Sequence, residues 1–311
     1  MLSVLTVILP IFALILAGFA ARRIGVLGPH ATGELNRFVV YLALPALLFD
    51  IVARARWNAI WQPAFIATFG LGMALVFAVT VGFRRRRSRH LADATIDGLN
   101  AAYANTGFMG FPLVLAVLGP AALAPTLIAT ILTVCILFAV ALILIEVGLQ
   151  TERHPRHMAA KVMGSLARNP LLIAPVLGTL FLTLHIPVPS PAESFLKLLG
   201  SAASPCALVA LGLFLAEKRE SAAPAPGTTG LLVGLKLVAQ PGATWALATG
   251  IFHLSAPLTQ AAVLLAALPT GTGPFMVAEF YRREAGITSG AVLASTIASL
   301  ATIALYLSLA T

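Results

Sequence analysis

The sequence predicts an all-α integral membrane protein: ten transmembrane helices in two inverted five-helix repeats, the fourth and ninth of them broken and crossing. Three observations predict it. Apolar residues make up 59% of the 311 residues and charged ones only 10%, with a mean hydropathy of +0.96. That is too little polar surface to coat a soluble core, whereas a bilayer hides apolar surface all round each helix. Lysine and arginine fall in short clusters at alternate gaps between apolar runs, and prolines and glycines recur at a fixed offset.

A bilayer core asks for about 20 apolar residues per helix. The first span, Ser3–Ala21, lacks the basic start of a signal peptide and is expected to be a retained helix. Asn36–Ala53 follows, with Asp50 beside Arg54 and Arg56 expected as a surface pair. The third and fourth spans are Ala59–Phe83 and Thr95–Gly119, and the fifth is Ala122–Leu149. Residues 1–149 form the first repeat, 150–161 a short cytoplasmic linker, and 162–311 the second, inverted repeat. Its spans are Val162–Leu184, with Asn169 expected to cap the helix at Pro170, then Ser194–Ala216, Thr229–Phe252, Leu258–Tyr281 and Thr288–Ala310. None of these runs alternates with period two, which disfavours strands.

Charge sets the orientation. Fourteen Lys and Arg residues occupy the first, third, fifth, seventh and ninth gaps, from Arg22 and Arg23 to Arg282 and Arg283. The other face has Arg54, Arg56 and, just inside the seventh span, Lys197. The positive-inside rule then puts both termini on the outer face. The net charge of +9 is dispersed over loops and offers no basic face for nucleic acid.

Pro10 and Pro170, Gly18 and Gly178, and Pro45 and Pro205 each stand 160 residues apart. Five spans per repeat insert the second copy upside down, an architecture of many secondary transporters. Helix-breaking residues cluster in corresponding spans, the fourth with Asn105, Thr106, Gly107, Gly110 and Pro112, the ninth with Pro269, Thr270, Gly271, Thr272, Gly273 and Pro274. Proline removes a donor and glycine weakens helix, so both spans should unwind near the midplane. Unpaired backbone survives at that depth only where it is buried in protein or lines a cavity. The expected binding site therefore comprises Asn105, Thr106, Gly107, Pro112, Pro269, Thr270, Gly271 and Thr272. Half-helix N-termini and neutral donors at such a crossing suit a small organic anion, bound weakly enough to be released.

Intramembrane charges are candidates for coupling. Asp97, Lys236 and Glu279 are expected to meet on the cytoplasmic side, as a proton- or sodium-coupling site or as a structural ion pair. Glu146 is expected to be solvated at a helix end, and Tyr103 and Phe108 to be packing residues. Cys135 and Cys206 lack a CxxC neighbour, and no histidine pair within a span shows metal-ligand spacing, so no metal or other cofactor is expected. Ser201, Ser204 and Ser295 lack a convincing His or Lys partner, which argues against an intramembrane enzyme. A channel would build its pore on an oligomer axis, whereas paired broken helices favour alternating access.

The segments NTGFMGFPL, NPLLIAPVLG, ALPTGTGPFMVAEFY and STIASL resemble the auxin efflux carrier family. That family includes plant auxin carriers and bacterial permeases for malonate, malate and related acids. The resemblance runs over nearly the whole chain. It implies a scaffold of spans 1, 2, 6 and 7 and a transport domain of spans 3–5 and 8–10 that moves like an elevator. It also implies an auxin-like or dicarboxylate substrate, a bacterial inner-membrane location, and a homodimer braced through spans 2 and 7. Sodium-coupled bile acid symporters share the wider superfamily and supply the alternative reading. The loop QTERHPRHMAAK is short, without the regulatory segment of many plant carriers.

Overall fold

A computed structural model of the protein describes residues 2–55, 61–87, 89–150, 163–164, 166–216 and 226–310. Among them every regular element is a helix, apart from one isolated β-bridge. In chain order the helices are α1 (Leu2–Arg23), α2 (Ala31–Ala53), α3 (Pro63–Arg86), α4 (Leu91–Ala102), α5 (Thr106–Leu118) and α6 (Pro120–Leu149). There follow α7 (Pro170–Thr183), α8 (Ser190–Ala216), α9 (Gly227–Gly250), α10 (Ala256–Ala266), α11 (Gly273–Phe280) and α12 (Ala285–Ala310). Six of these, α2, α3, α6, α8, α9 and α12, are long and apolar enough to cross a membrane by length and composition.

Two expected spans each appear as two shorter helices, α4 with α5 and α10 with α11. α2 starts five residues earlier than expected, because its first turn carries Thr32 and Glu34 and hydropathy overlooks a polar turn. α8 likewise begins at Ser190, and a turn at Ala202 interrupts it. Except for Gln150, the expected linker 150–161 lies outside the described residues, as do Arg56, Lys218 and Arg219.

Proline leaves a repeated local mark. Val39–Ala43, Thr106–Gly110 and Leu235–Ala239 are widened into π-helical turns, and each ends two residues before a proline: Pro45, Pro112 and Pro241. A proline ring clashes with the carbonyl four residues back and offers it no N–H. That carbonyl belongs to Tyr41, Phe108 or Leu237, in the middle of each wide turn. Widening relieves the clash while the helix continues.

The helices pack in two groups. α1 lies along α8, while α2 packs against α7 and α8. In the second group α3 packs on α4 and α9, α4 on α6, and α9 on α10 and α12. Contacts between the groups include α1 with α5 and α12, and α2 with α11. The α1–α8 crossing is backbone to backbone: a Cβ at Gly18 would lie 2.2 Å from the Val209 carbonyl oxygen, and one at Gly212 only 1.9 Å from that of Ile15. At the α7–α2 crossing, a Cβ at Gly178 would lie 3.0 Å from the Phe49 carbonyl oxygen. The offset of 160 residues that relates Gly18 to Gly178 also relates Phe49 to Val209.

Candidate functional site

α4 closes when the Tyr103 N–H donates to the Leu99 carbonyl at 2.8 Å, and the chain then turns extended at Tyr103. There it meets the gap between α10 and α11. The Asn105 N–H donates to the Pro269 carbonyl at 2.9 Å and the Gly271 N–H to the Tyr103 carbonyl at 3.0 Å, bridging Ala104 to Thr270 in antiparallel sense. Each strand-like link satisfies backbone that hydrocarbon would leave unpaired. Gly271 makes the approach feasible, since a Cβ there would lie 2.9 Å from the Tyr103 ring. The two interruptions thus cross, held by each other's main chain.

The breaks lie slightly upstream of where their prolines suggested. Pro274 sits in the first turn of α11, where an N–H would have no partner anyway, and Pro112 follows the π-widened first turn of α5. Pro112 therefore lies within α5 and not in the unwound stretch.

Four helix ends meet at the crossing, and they divide by sign. The C-terminal ends, which carry partial negative charge, are capped from within the protein. Lys236 Nζ donates to the Ala266 carbonyl at the end of α10 (2.8 Å), and Gln240 Nε2 to the Ala102 carbonyl at the end of α4 (3.0 Å). The Thr270 hydroxyl donates to the Asn100 carbonyl at 2.8 Å, the Thr270 N–H to Ser295 Oγ at 3.1 Å, and Asn100 Nδ2 to the Thr288 hydroxyl at 2.9 Å. All of these side chains are fully buried. The N-terminal ends, those of α5 and α11, open onto a cavity of about 300 Å³.

The cavity lies between the two packing groups, faced by Asn105, Gly107, Phe108, Thr272 and Tyr103 from the crossing and by α2 and α8 from the other side. No charged side chain lines it. Asn105 is 9% exposed, and its amide makes no hydrogen bond among the described residues, so it presents donors and an acceptor to whatever enters. First-turn N–H groups of two helices add partial positive charge. Such a lining can hold a carboxylate without a fixed countercharge.

Of the sequence-predicted site, the structure brings Asn105, Gly107 and Thr272 to this cavity. Thr106, Pro269, Thr270 and Gly271 build the crossing behind it; the Thr106 hydroxyl is buried without a partner among the described residues. Tyr103 and Phe108, expected only to pack, line the cavity as well, and Tyr103 also stacks at a tilt on Phe138. Gln240, which caps α4, and Asn100, which bonds Thr288, escaped the sequence reading, since a lone amide in an apolar run carries no spacing signal.

The expected meeting of Asp97, Lys236 and Glu279 does not occur. Asp97 Oδ2 accepts from Arg84 Nε at 2.6 Å, Lys236 serves Ala266, and Glu279 lines a separate polar cavity of about 780 Å³ with His30, Arg37 and Arg282. α4 turns Asp97 toward α3, α9 turns Lys236 toward the crossing, and Glu279 stands one residue from the end of α11. Glu146 is not merely solvated, for it accepts from the Tyr281 hydroxyl at 2.6 Å. Arg283 makes a two-pronged contact to Asp93 (2.6 and 2.8 Å), which raises the guanidinium further above its usual value, and Arg89 pairs with Glu284. Asp50 pairs with Arg54 at 3.2 Å, and the Asn169 side chain accepts from the Leu171 N–H at 3.0 Å, both as expected. The described residues contain no group of three or more His, Cys, Asp or Glu that could hold a metal ion.

Known proteins match this chain over nearly its whole length. A protein of Rhizobium meliloti (strain 1021), whose name proposes it as a malonate transporter, is 33% identical over 309 residues, covering 97% of this chain and 94% of its own. An uncharacterized transporter of Methanothermobacter thermautotrophicus is 26% identical over 303 residues, 96% of each chain. A probable auxin efflux carrier component 5b of Oryza sativa subsp. japonica is 33% identical over 147 residues, 45% of this chain and 39% of its own. The family described as "Membrane transport protein" matches residues 3–307. An all-helical, apolar chain with a crossing of two interrupted helices, matched over nearly its whole length, belongs to the membrane transport protein family of the auxin efflux carriers.

Proposed function

We propose that this protein is a secondary transporter of a small organic anion, a monocarboxylate or dicarboxylate, working by elevator-type alternating access. The observation that carries the reading is the cavity at the crossing, where two helix N-termini and the unpaired amide of Asn105 converge without a fixed charge. Such a lining favours a carboxylate but holds it loosely, as a carrier requires. The relative named for malonate supports a small acid.

In this reading α1, α2, α7 and α8 are the scaffold, and α3–α6 with α9–α12 move as the transport domain. Residues 1–149 and 162–311 are two inverted repeats, supported by the shared 160-residue offset of the Gly18–Val209 and Gly178–Phe49 contacts. The chain sits in a bacterial inner membrane with both termini outside, as a homodimer braced through α2 and α8. Coupling to a proton or to sodium would act through Lys236, the ionisable group beside the crossing.

Counterflow tests the reading. Proteoliposomes loaded with labelled malonate should release it faster when unlabelled acid is added outside, and graded pH and sodium gradients should alter the rate if coupling exists. Release that ignores external acid, across a panel of mono- and dicarboxylates, would remove alternating access.

A further inference from the structure

We infer that Ser204, at the interruption of α8, is a specificity-determining residue that donates a hydrogen bond to the second carboxylate of a dicarboxylate whose first carboxylate lies at the crossing. This rests on the proposed transport of an organic anion. It adds which acid is selected and by what.

Most hydroxyls in the helices of this protein turn back on their own chain. Ser201 donates to the Leu198 carbonyl at 2.8 Å, Thr130 to Thr126 at 2.8 Å, Ser299 to Thr296 at 2.8 Å and Thr179 to Pro175 at 2.8 Å. This is the usual fate of a hydroxyl in an apolar helix, where no water competes. Ser204 is different. The carbonyl four residues back belongs to Gly200, on the far side of the turn at Ala202, and among the described residues the Ser204 hydroxyl has no partner. It is partly exposed and lines the cavity opposite the crossing. A donor left unspent in an apolar wall represents a desolvation cost unless something in the cavity accepts from it.

The cavity is thus polar at two places. One is the crossing, with Asn105 nine-tenths buried and its amide unpaired. The other is the interruption of α8. The facing wall of α2 is apolar where it lines the cavity, at Val39, Leu44, Leu47 and Ile51. Leu44 precedes Ser204 by the repeat offset of 160 residues and lines the same cavity, so related positions are polar in one half and apolar in the other. A monocarboxylate satisfies only the crossing and leaves Ser204 unpaired. A short dicarboxylate, whose two acid groups are held apart by its carbon chain, satisfies both. Because α8 and the crossing belong to different packing groups, such an acid bridges them.

The test compares chain-matched acids. Uptake of labelled malonate and propionate, with competition by unlabelled C3–C5 mono- and dicarboxylates, is measured for the wild type, Ser204→Thr and Ser204→Val. Threonine and valine share a shape and differ in the hydroxyl, so packing is held constant between them; melting temperatures confirm that both fold. The wild type and Ser204→Thr should prefer the dicarboxylate about tenfold, the low end for a hydrogen bond to a charged group. Ser204→Val should bring that ratio close to one, with the loss falling on malonate. A ratio preserved in Ser204→Val, or equal losses for both acids, overturns the role of Ser204 while leaving the transport reading standing. If the wild type takes up none of the acids, the transport reading itself falls, and this inference with it.

Discussion

Asn105 shows how a single residue can belong to a site without belonging to the core. Its backbone is tied into the crossing, since its N–H reaches Pro269 and its carbonyl accepts from Met109 and Gly110 at 3.1 and 3.2 Å. Its amide, by contrast, has no partner among the described residues and faces the cavity. Asn105→Ala should therefore change stability by no more than about 1 kcal/mol, for no side-chain hydrogen bond is lost. Transport should fall about ten- to a hundredfold, the worth of a hydrogen bond to a charged ligand. Uptake in proteoliposomes beside the melting temperature decides it, and wild-type uptake would remove Asn105 from the site. Its neighbours divide the labour differently: Thr270 spends its hydroxyl on Asn100, and Lys236 its ammonium on Ala266. Both residues stood out in the sequence because polar groups are rare in apolar runs. Their partners did not, because Ala266 and the Asn100 carbonyl contribute only main chain.

At the scale of the helices, glycine decides how closely two elements approach. Gly212 stands where a Cβ would fall 1.9 Å from the Ile15 carbonyl oxygen, so α1 and α8 touch through their backbones. Gly212→Ala should force them apart and destabilise the protein by about 1–3 kcal/mol, the range for overpacking. Gly230 in α9 is the control, with nothing within 4 Å of an added Cβ. Gly230→Ala should be neutral or stabilising by about 0.5–1 kcal/mol. Thermal melts in one detergent compare the two; equal effects would show that the close crossing carries no special cost. The interruptions of the fourth and ninth spans were legible from Pro112, Gly107, Pro274 and Gly271, because these residues act on their own backbone. Their boundaries were less legible: a proline tolerates the first turn of a helix, as Pro274 does, or the end of a π-widened turn, as Pro112 does, so each helix restarts before its proline.

For the whole molecule, the question is whether the two packing groups move against each other. Tyr41 of α2 and Phe280 of α11 meet across the boundary with ring centroids 5.9 Å apart. Their polar surroundings line the cavity of about 780 Å³ that holds Glu279. Within the second group, by contrast, Arg283–Asp93, Arg89–Glu284 and Glu146–Tyr281 tie the segment between α11 and α12 to α4, α6 and the stretch before α4. These links join elements from both halves of the chain, as a group that moves as one body requires. Cysteines at 41 and 280, after replacement of Cys135 and Cys206, should block transport when cross-linked and restore it on reduction. Undiminished transport in the cross-linked protein would mean that this boundary stays closed throughout the cycle.

By itself the sequence determined what depends on local or one-dimensional properties. Apolar run length specified helices for a bilayer, helix breakers specified where two of them stop, and the 160-residue offset pointed to a repeat. Tertiary structure alone decided which charges meet. Asp97, Lys236 and Glu279 stand at different positions along their helices and on different faces, and the placement and rotation of each helix send them to Arg84, to Ala266 at the crossing and to a separate cavity. Rotation is set by the close packing of every neighbouring side chain and glycine, a sum over contacts remote in the chain. The same holds for Ser204: whether its hydroxyl is spent on its own helix or left facing a cavity depends on a turn at Ala202 and on what stands opposite, neither of which a serine in an apolar run announces.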